Sequence, residues 1–90
     1  MAVEVKVPTI LRTYTGGDKA VRGDGSTLGE VFDDLDARHP GLKGRVVEEG
    51  DLRRFVNVYV NDEDVRFTGG LDTSLSDGDT VVILPAVAGG

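Results

Sequence analysis

The chain contains no cysteine, which removes disulfides, thiol catalysis and cysteine-ligated metal together. The same absence excludes an iron–sulfur ferredoxin, whose cluster takes four thiolates. Histidine occurs once, as His39. A nucleophilic triad needs a base beside its serine or threonine, and His39, directly before Pro40, reads instead as a residue at a helix C-terminus, where positive charge is favourable. Basic charge is scarce as well. Ten Lys and Arg against sixteen Asp and Glu leave a net charge of −6. Such a chain repels phosphate backbones, so no nucleic acid is expected as partner, while solubility and basic protein surfaces are favoured. Met1 is followed by strand-like sequence, with no basic leader and no long apolar run. A cytoplasmic location and no membrane association are therefore expected. At 90 residues and 39% hydrophobic, the chain supports one domain and one sheet-on-helix core, without room for a deep ligand cavity.

What is present reads as alternating short strands and one helix. Val3, Val5 and Val7 alternate with Glu4 and Lys6, a half-buried strand that Pro8 ends. Residues 9–12 can make a helical turn, and residues 19–22 a second strand stopped by Gly23-Asp24-Gly25. Thr27 and Glu30 have the spacing of a capping box. Leu28, Val31, Phe32 and Leu35 follow as one apolar stripe, and Pro40 stops the helix. Residues 42–47 fit either a further helical turn or an irregular connection, and residues 48–51 a polar loop. Residues 54–60 read as a strand, with Val56, Val58 and Val60 on one face and Phe55, Asn57 and Tyr59 on the other. A tight turn over 61–64 leads to a short return strand at 65–67. Leu71 and Leu75 anchor a helical turn, and residues 80–84 are apolar on both faces, which fits a strand in the middle of a sheet. Pro85 ends that strand.

One helix covering one face of a mixed sheet makes a two-layer α+β domain. With the last strand central and beside the first, the arrangement is the β-grasp (ubiquitin-like) fold, expected over residues 1–84 with a tail over 85–90.

Candidate chemistry is sparse in the body. Asp33, Asp34 and Asp36, like Asp62, Glu63 and Asp64, lack the spacing of a calcium loop and read as a solvated face and a polar turn. Gly16-Gly17 and Gly69-Gly70 lack the pattern of a phosphate-cradling loop and read as turns at positive φ. The C-terminus is different. Ending in Gly89-Gly90 is expected by chance in roughly one chain in two hundred, and residues 85–90 carry no charged side chain. A glycine end can pass through a narrow channel and take whatever dihedrals another protein's site requires. Six extended residues reach about 20 Å. The chemistry such a carboxylate invites is adenylation by ATP, followed by replacement of oxygen with sulfur to give a terminal thiocarboxylate.

The residues Val7-Pro8-Thr9-Ile10-Leu11-Arg12, the helix from Thr27, the stretch 54–67, the turn Asp77-Gly78-Asp79 and the end Leu84-Pro85-Ala86-Val87-Ala88-Gly89-Gly90 resemble the ThiS/MoaD family of ubiquitin-like sulfur carriers. Within that family the stretch 54–67 points to the CysO-type branch that serves cysteine biosynthesis. The resemblance implies that Gly90 is the point of covalent attachment as adenylate and thiocarboxylate, with Gly89, Ala88 and Val87 entering partner active sites. It implies an ATP-dependent activating enzyme, a pyridoxal-phosphate cysteine synthase that receives the sulfur, and a zinc metallopeptidase that releases cysteine. ATP, pyridoxal phosphate and zinc would belong to those partners, and the chain itself would bind no cofactor, act as a monomer and not be an enzyme. Phe55, Tyr59 and Phe67 form a possible docking face on the open side of the sheet; aromatics also simply favour strands. The same tail would serve a carrier for thiamine or molybdopterin biosynthesis, or a covalent protein modifier that passes Gly90 to a lysine. A non-covalent binding module with an idle tail is the further alternative.

Overall fold

The computed structural model describes residues 2–54 and 56–85. Strand β1 (Ala2–Lys6) buries Val3 and Val5 and exposes Glu4 and Lys6, as the two-residue period of a strand requires. After Pro8, residues Thr9–Thr15 wind as a 3-10 helix that buries Leu11 and Thr15. Strand β2 (Ala20–Asp24) then returns antiparallel to β1. It does not stop at glycine but runs through Gly23, because the helix lies directly on that residue. A Cβ there would sit 2.8 Å from Val31 Cγ1, so the glycine is a contact point rather than a break.

Helix α1 (Leu28–Arg38) buries its whole stripe, Leu28, Val31, Phe32 and Leu35. Its start differs slightly from the expected capping box. The Glu30 amide donates to Thr27 Oγ1 at 3.3 Å, but the Glu30 carboxylate accepts from the Ser26 amide and hydroxyl, both at 2.9 Å. The backbone around Thr27 is tied to the 73–75 segment, through Leu28 N to Thr73 O and Leu75 N to Ser26 O, and Ser26 is the residue left facing the carboxylate. These bonds hold the Glu30 carboxyl below its ordinary pKa, the Ser26 amide contributing most. At the other end His39 is the C-cap, its amide donating to Leu35 O.

Helix α2 (Leu42–Val46) buries Leu42 and Val46, which settles that segment as helical. The expected polar loop after it is a minimal hairpin, β3 (Val47–Glu48) against β4 (Asp51–Leu52), turning through Glu49 and Gly50 at positive φ. Strand β5 (Val56–Val60) turns through Asn61 and Asp62, with φ of 50° and 72°, into β6 (Glu63–Asp64). Two consecutive positive-φ residues are the signature of a tight hairpin loop. The return strand expected at 65–67 is instead a 3-10 turn, Val65–Phe67. Asp64 Oδ1 accepts from the Arg66 amide at 2.9 Å, and full burial of Val65 draws the chain out of the sheet. A further 3-10 turn, Gly70–Asp72, precedes the last strand.

Strand β7 (Thr80–Pro85) lies in the centre of a five-stranded sheet of order β2-β1-β7-β5-β6. It runs parallel to β1 and antiparallel to β5. Together with α1 packed on one face, this is the expected β-grasp. Val81 and Ile83 are buried against the helix side, but Val82 is half-buried and Leu84 is 45% exposed. The strand is central, yet its second face is open to solvent.

Candidate functional site

The site is the end of β7 and what surrounds it. Pro85 is still part of the strand, where it pairs with Val56, so the folded body extends one residue further than expected. A proline fits there because β1 accompanies β7 only from Thr80 to Val82. At Pro85 only one flank of the strand is paired, and a missing amide donor is tolerated where there is no neighbour to receive it. The other end of β7 is clamped. Asn61 donates from its amide to Thr80 O at 2.9 Å and accepts from the Thr80 amide through Oδ1 at 3.1 Å. Asp79, just before the strand, accepts from the Ser76 amide at 2.8 Å and from Asn61 Nδ2 at 2.9 Å. Those two bonds, the first the larger, hold its carboxyl below the ordinary value.

The tail residues Val87, Ala88, Gly89 and Gly90, on which the chemistry was expected, lie outside the described residues. Five residues beyond Pro85 span at most about 18 Å. At their root is a cleft of about 240 Å³ lined by Pro8, Ile10, Leu11, Arg45, Arg53 and Pro85 among others. Ile10 is 65% exposed at its edge.

Of the expected docking face, Phe55 lies outside the described residues. Tyr59 is half-buried on the open side of the sheet, with Val82 opposite it on β7 and Asp64 opposite it on β6; Lys6 continues the row beyond Val82. Leu84 and Asn57 form the next pair. Phe67 is 87% exposed, but it stands on the 3-10 turn, so the strand alternation that placed it beside Tyr59 does not apply. The acidic groups of the sequence are taken up in local structure. Asp33 pairs with Lys43, Asp34 with Arg38 at 3.0 Å, and Asp36 accepts from the Gly41 amide at 3.1 Å. Among the described residues no group of three or more carboxylates or histidines is placed to hold a metal ion.

What sequence reasoning missed is a set of arginines near the tail root. Arg53 donates to Gly44 O at 2.9 Å and to Glu48 Oε1 at 3.1 Å. Arg66 donates to Asn57 Oδ1 at 2.5 Å, Val56 O at 2.6 Å and Arg53 O at 3.2 Å. The Arg53-Arg54 doublet in an otherwise acidic chain was the available signal.

The described residues form a strand that is anchored at its start and ends at Pro85 beside a small cleft. Comparison with known proteins gives this geometry a family. The ThiS family model matches residues 5–90. The chain is 58% identical over 93 aligned residues to the sulfur carrier protein CysO of Mycobacterium tuberculosis, covering 100% of both chains. The CysO protein of Amycolatopsis orientalis, in its crystal structure as a complex with BexX, superposes with a TM-score of 0.94 at 61% identity, covering 98% of this chain and 99% of that one. A more distant relative is the small archaeal modifier protein 3 of Haloferax volcanii, 43% identical over 67 residues, 74% of this chain and 73% of that protein. The chain therefore belongs to the ThiS family.

Proposed function

We propose that the chain is a sulfur carrier for cysteine biosynthesis. The Gly90 carboxylate attacks the α-phosphorus of ATP in an activating enzyme, releasing pyrophosphate and leaving an acyl-adenylate. A sulfur source then attacks the acyl carbon, AMP leaves, and a terminal thiocarboxylate remains. That sulfur adds to an aminoacrylate held by a pyridoxal-phosphate cysteine synthase to give a thioester; the cysteine amine then attacks the acyl carbon, the thiol leaves, and the product is a cysteine joined by an amide bond to the carrier's end. A zinc metallopeptidase hydrolyses the bond and returns the Gly90 carboxylate. The chain contributes the acyl carbon and the docking surface. ATP, pyridoxal phosphate and zinc reside in the partners, and the carrier works as a cytoplasmic monomer.

The single observation behind this reading is the full-length likeness to CysO sulfur carriers, which runs through the Gly89-Gly90 end. The open face around Tyr59, Val82 and Leu84 supports docking. Delivery to thiamine or molybdopterin biosynthesis is the variant of the same chemistry. A covalent modifier, which passes the activated Gly90 to a lysine, is favoured by one observation, the likeness to a small archaeal modifier protein.

Intact-mass measurement of the chain isolated from its own cells separates these. A population heavier by the difference between sulfur and oxygen supports the carrier, and ladders of conjugates support the modifier. A chain extended by one alanine after Gly90 loses function under either reading; an extended chain that works normally overturns both and leaves a binding module.

A further inference from the structure

Cations in an acidic chain can be neutralised locally, and at several places here they are. Arg22, Arg38, Lys43 and Arg53 each lie within 4.0 Å of a carboxylate. Among the described residues Arg45, Arg54 and Arg66 have no such partner. Lys6, Arg12 and Lys19 are also outside these pairs, but none of them lines the cleft at Pro85 or the depression that Arg66 borders.

The three arginines share one place. Arg45 lines the cleft that Pro85 also lines. Arg66 reaches the carbonyl of Val56, the strand partner of Pro85. Arg54 stands two residues before Val56 and borders, with Arg66, a depression that Asp51, Gly69 and Gly70 also line; the Asp51 carboxylate accepts from the Leu52 amide and pairs with neither arginine. Arg66 is held by three acceptors, so its position is set before any partner arrives.

We infer that Arg45, Arg54 and Arg66 form a cationic collar at the root of the tail that meets carboxylates ringing the channel mouth of the ATP-dependent activating enzyme. The inference rests on the carrier reading above, because that enzyme is the first that must take in the tail. The net charge of −6 does the rest of the orienting. An acidic mouth repels the remainder of the carrier and attracts only the end that bears the tail. Complementary charge of this kind raises encounter rates and suppresses wrong orientations more than it adds affinity.

The test is ATP–pyrophosphate exchange by the activating enzyme from the same genome, with the full chain as substrate at low and high salt. The double variant Arg45→Glu/Arg54→Glu should lower kcat/KM for the carrier roughly tenfold at low salt with kcat at saturation unchanged. Raising the salt should bring wild type down towards the variant, since screening acts within about 8–10 Å. Lys19→Glu/Arg22→Glu reverses the same number of charges, away from the collar on the β2 side, and should leave kcat/KM near wild type. Arg45→Gln/Arg54→Gln, with an unaltered melting temperature, guards against misfolding and should fall between the two.

Equal losses in Lys19→Glu/Arg22→Glu and the collar variant, unchanged kcat/KM in the collar variant, or a loss confined to kcat each overturn the collar while exchange itself upholds activation of the Gly90 carboxylate. Absence of exchange with wild type overturns the carrier reading and the collar with it.

Discussion

Arg66 and Val56 are joined across the root of the tail: Nη2 of the arginine donates to the valine carbonyl at 2.6 Å, and Val56 is the strand partner of Pro85. The same guanidinium also holds Asn57 Oδ1 and Arg53 O. Replacing Arg66 with Ala removes all three bonds at a partly solvated site, where each is worth about 0.5–1.5 kcal/mol net. The expected result is a loss of roughly 1–2 kcal/mol and faster amide hydrogen exchange confined to the ends of β5 and β7. Lysine should restore charge but not the fork that spans the acceptors.

The open sheet face predicts a separation of folding from docking. Tyr59→Lys places a cation opposite Asp64 on β6, a favourable cross-strand pair, so the melting temperature should change little. Loss of the aromatic next to Val82 should weaken binding to the activating enzyme several-fold, read by titration calorimetry. Unchanged affinity would remove this face from the docking surface.

The core makes a sharper demand. Phe32 is fully buried beneath the sheet, and Phe32→Ala should cost about 3–5 kcal/mol. The whole domain has about 5–13 kcal/mol to lose, so the variant should be largely unfolded on modest warming. Gly23→Ala errs in the opposite direction. Its methyl would meet Val31 Cγ1 at 2.8 Å, and overpacking of this kind costs about 1–3 kcal/mol. Urea denaturation measures both.

Asp79 supplies a pH dependence. Its carboxyl titrates below the ordinary value in the fold because it accepts from the Ser76 amide and from Asn61. A depressed folded pKa stabilises the fold at pH above the unfolded value, and that contribution disappears as pH falls through the folded value. Asp79→Asn should therefore melt below wild type at neutral pH. The gap between the two melting curves should close in strongly acidic buffer.

Much of the fold was legible because single residue patterns decided it. The stripe Leu28, Val31, Phe32 and Leu35 could only be a helix face, and Val3, Val5 and Val56, Val58 could only be strands with one buried side. The central place of β7 was readable too, though from a misleading sign: Val82 and Leu84 are apolar without being covered by this chain. Gly23 was misread because a glycine beneath a helix and a glycine that breaks a strand look alike until the helix is in place. The hairpin at 47–52 and the turn at Val65–Phe67 escaped notice because strands of two residues carry no period, and because a cap formed by Asp64 outweighs β-propensity at Val65. In the candidate site, the Gly89-Gly90 end stood out by composition and by resemblance, and it lies outside the described residues. The arginines were not, since Arg45 and Arg66 are brought near Pro85 only by the folding of α2 and β5.

The seating of β7 between a parallel and an antiparallel neighbour has a mechanical consequence. A pull on the chain beyond Pro85 along the strand axis loads the hydrogen bonds to β1 and β5 in shear, many at once. An edge strand under the same tug would have one such set of bonds to resist with, where β7 has two. The handle of this molecule is fastened to its keel.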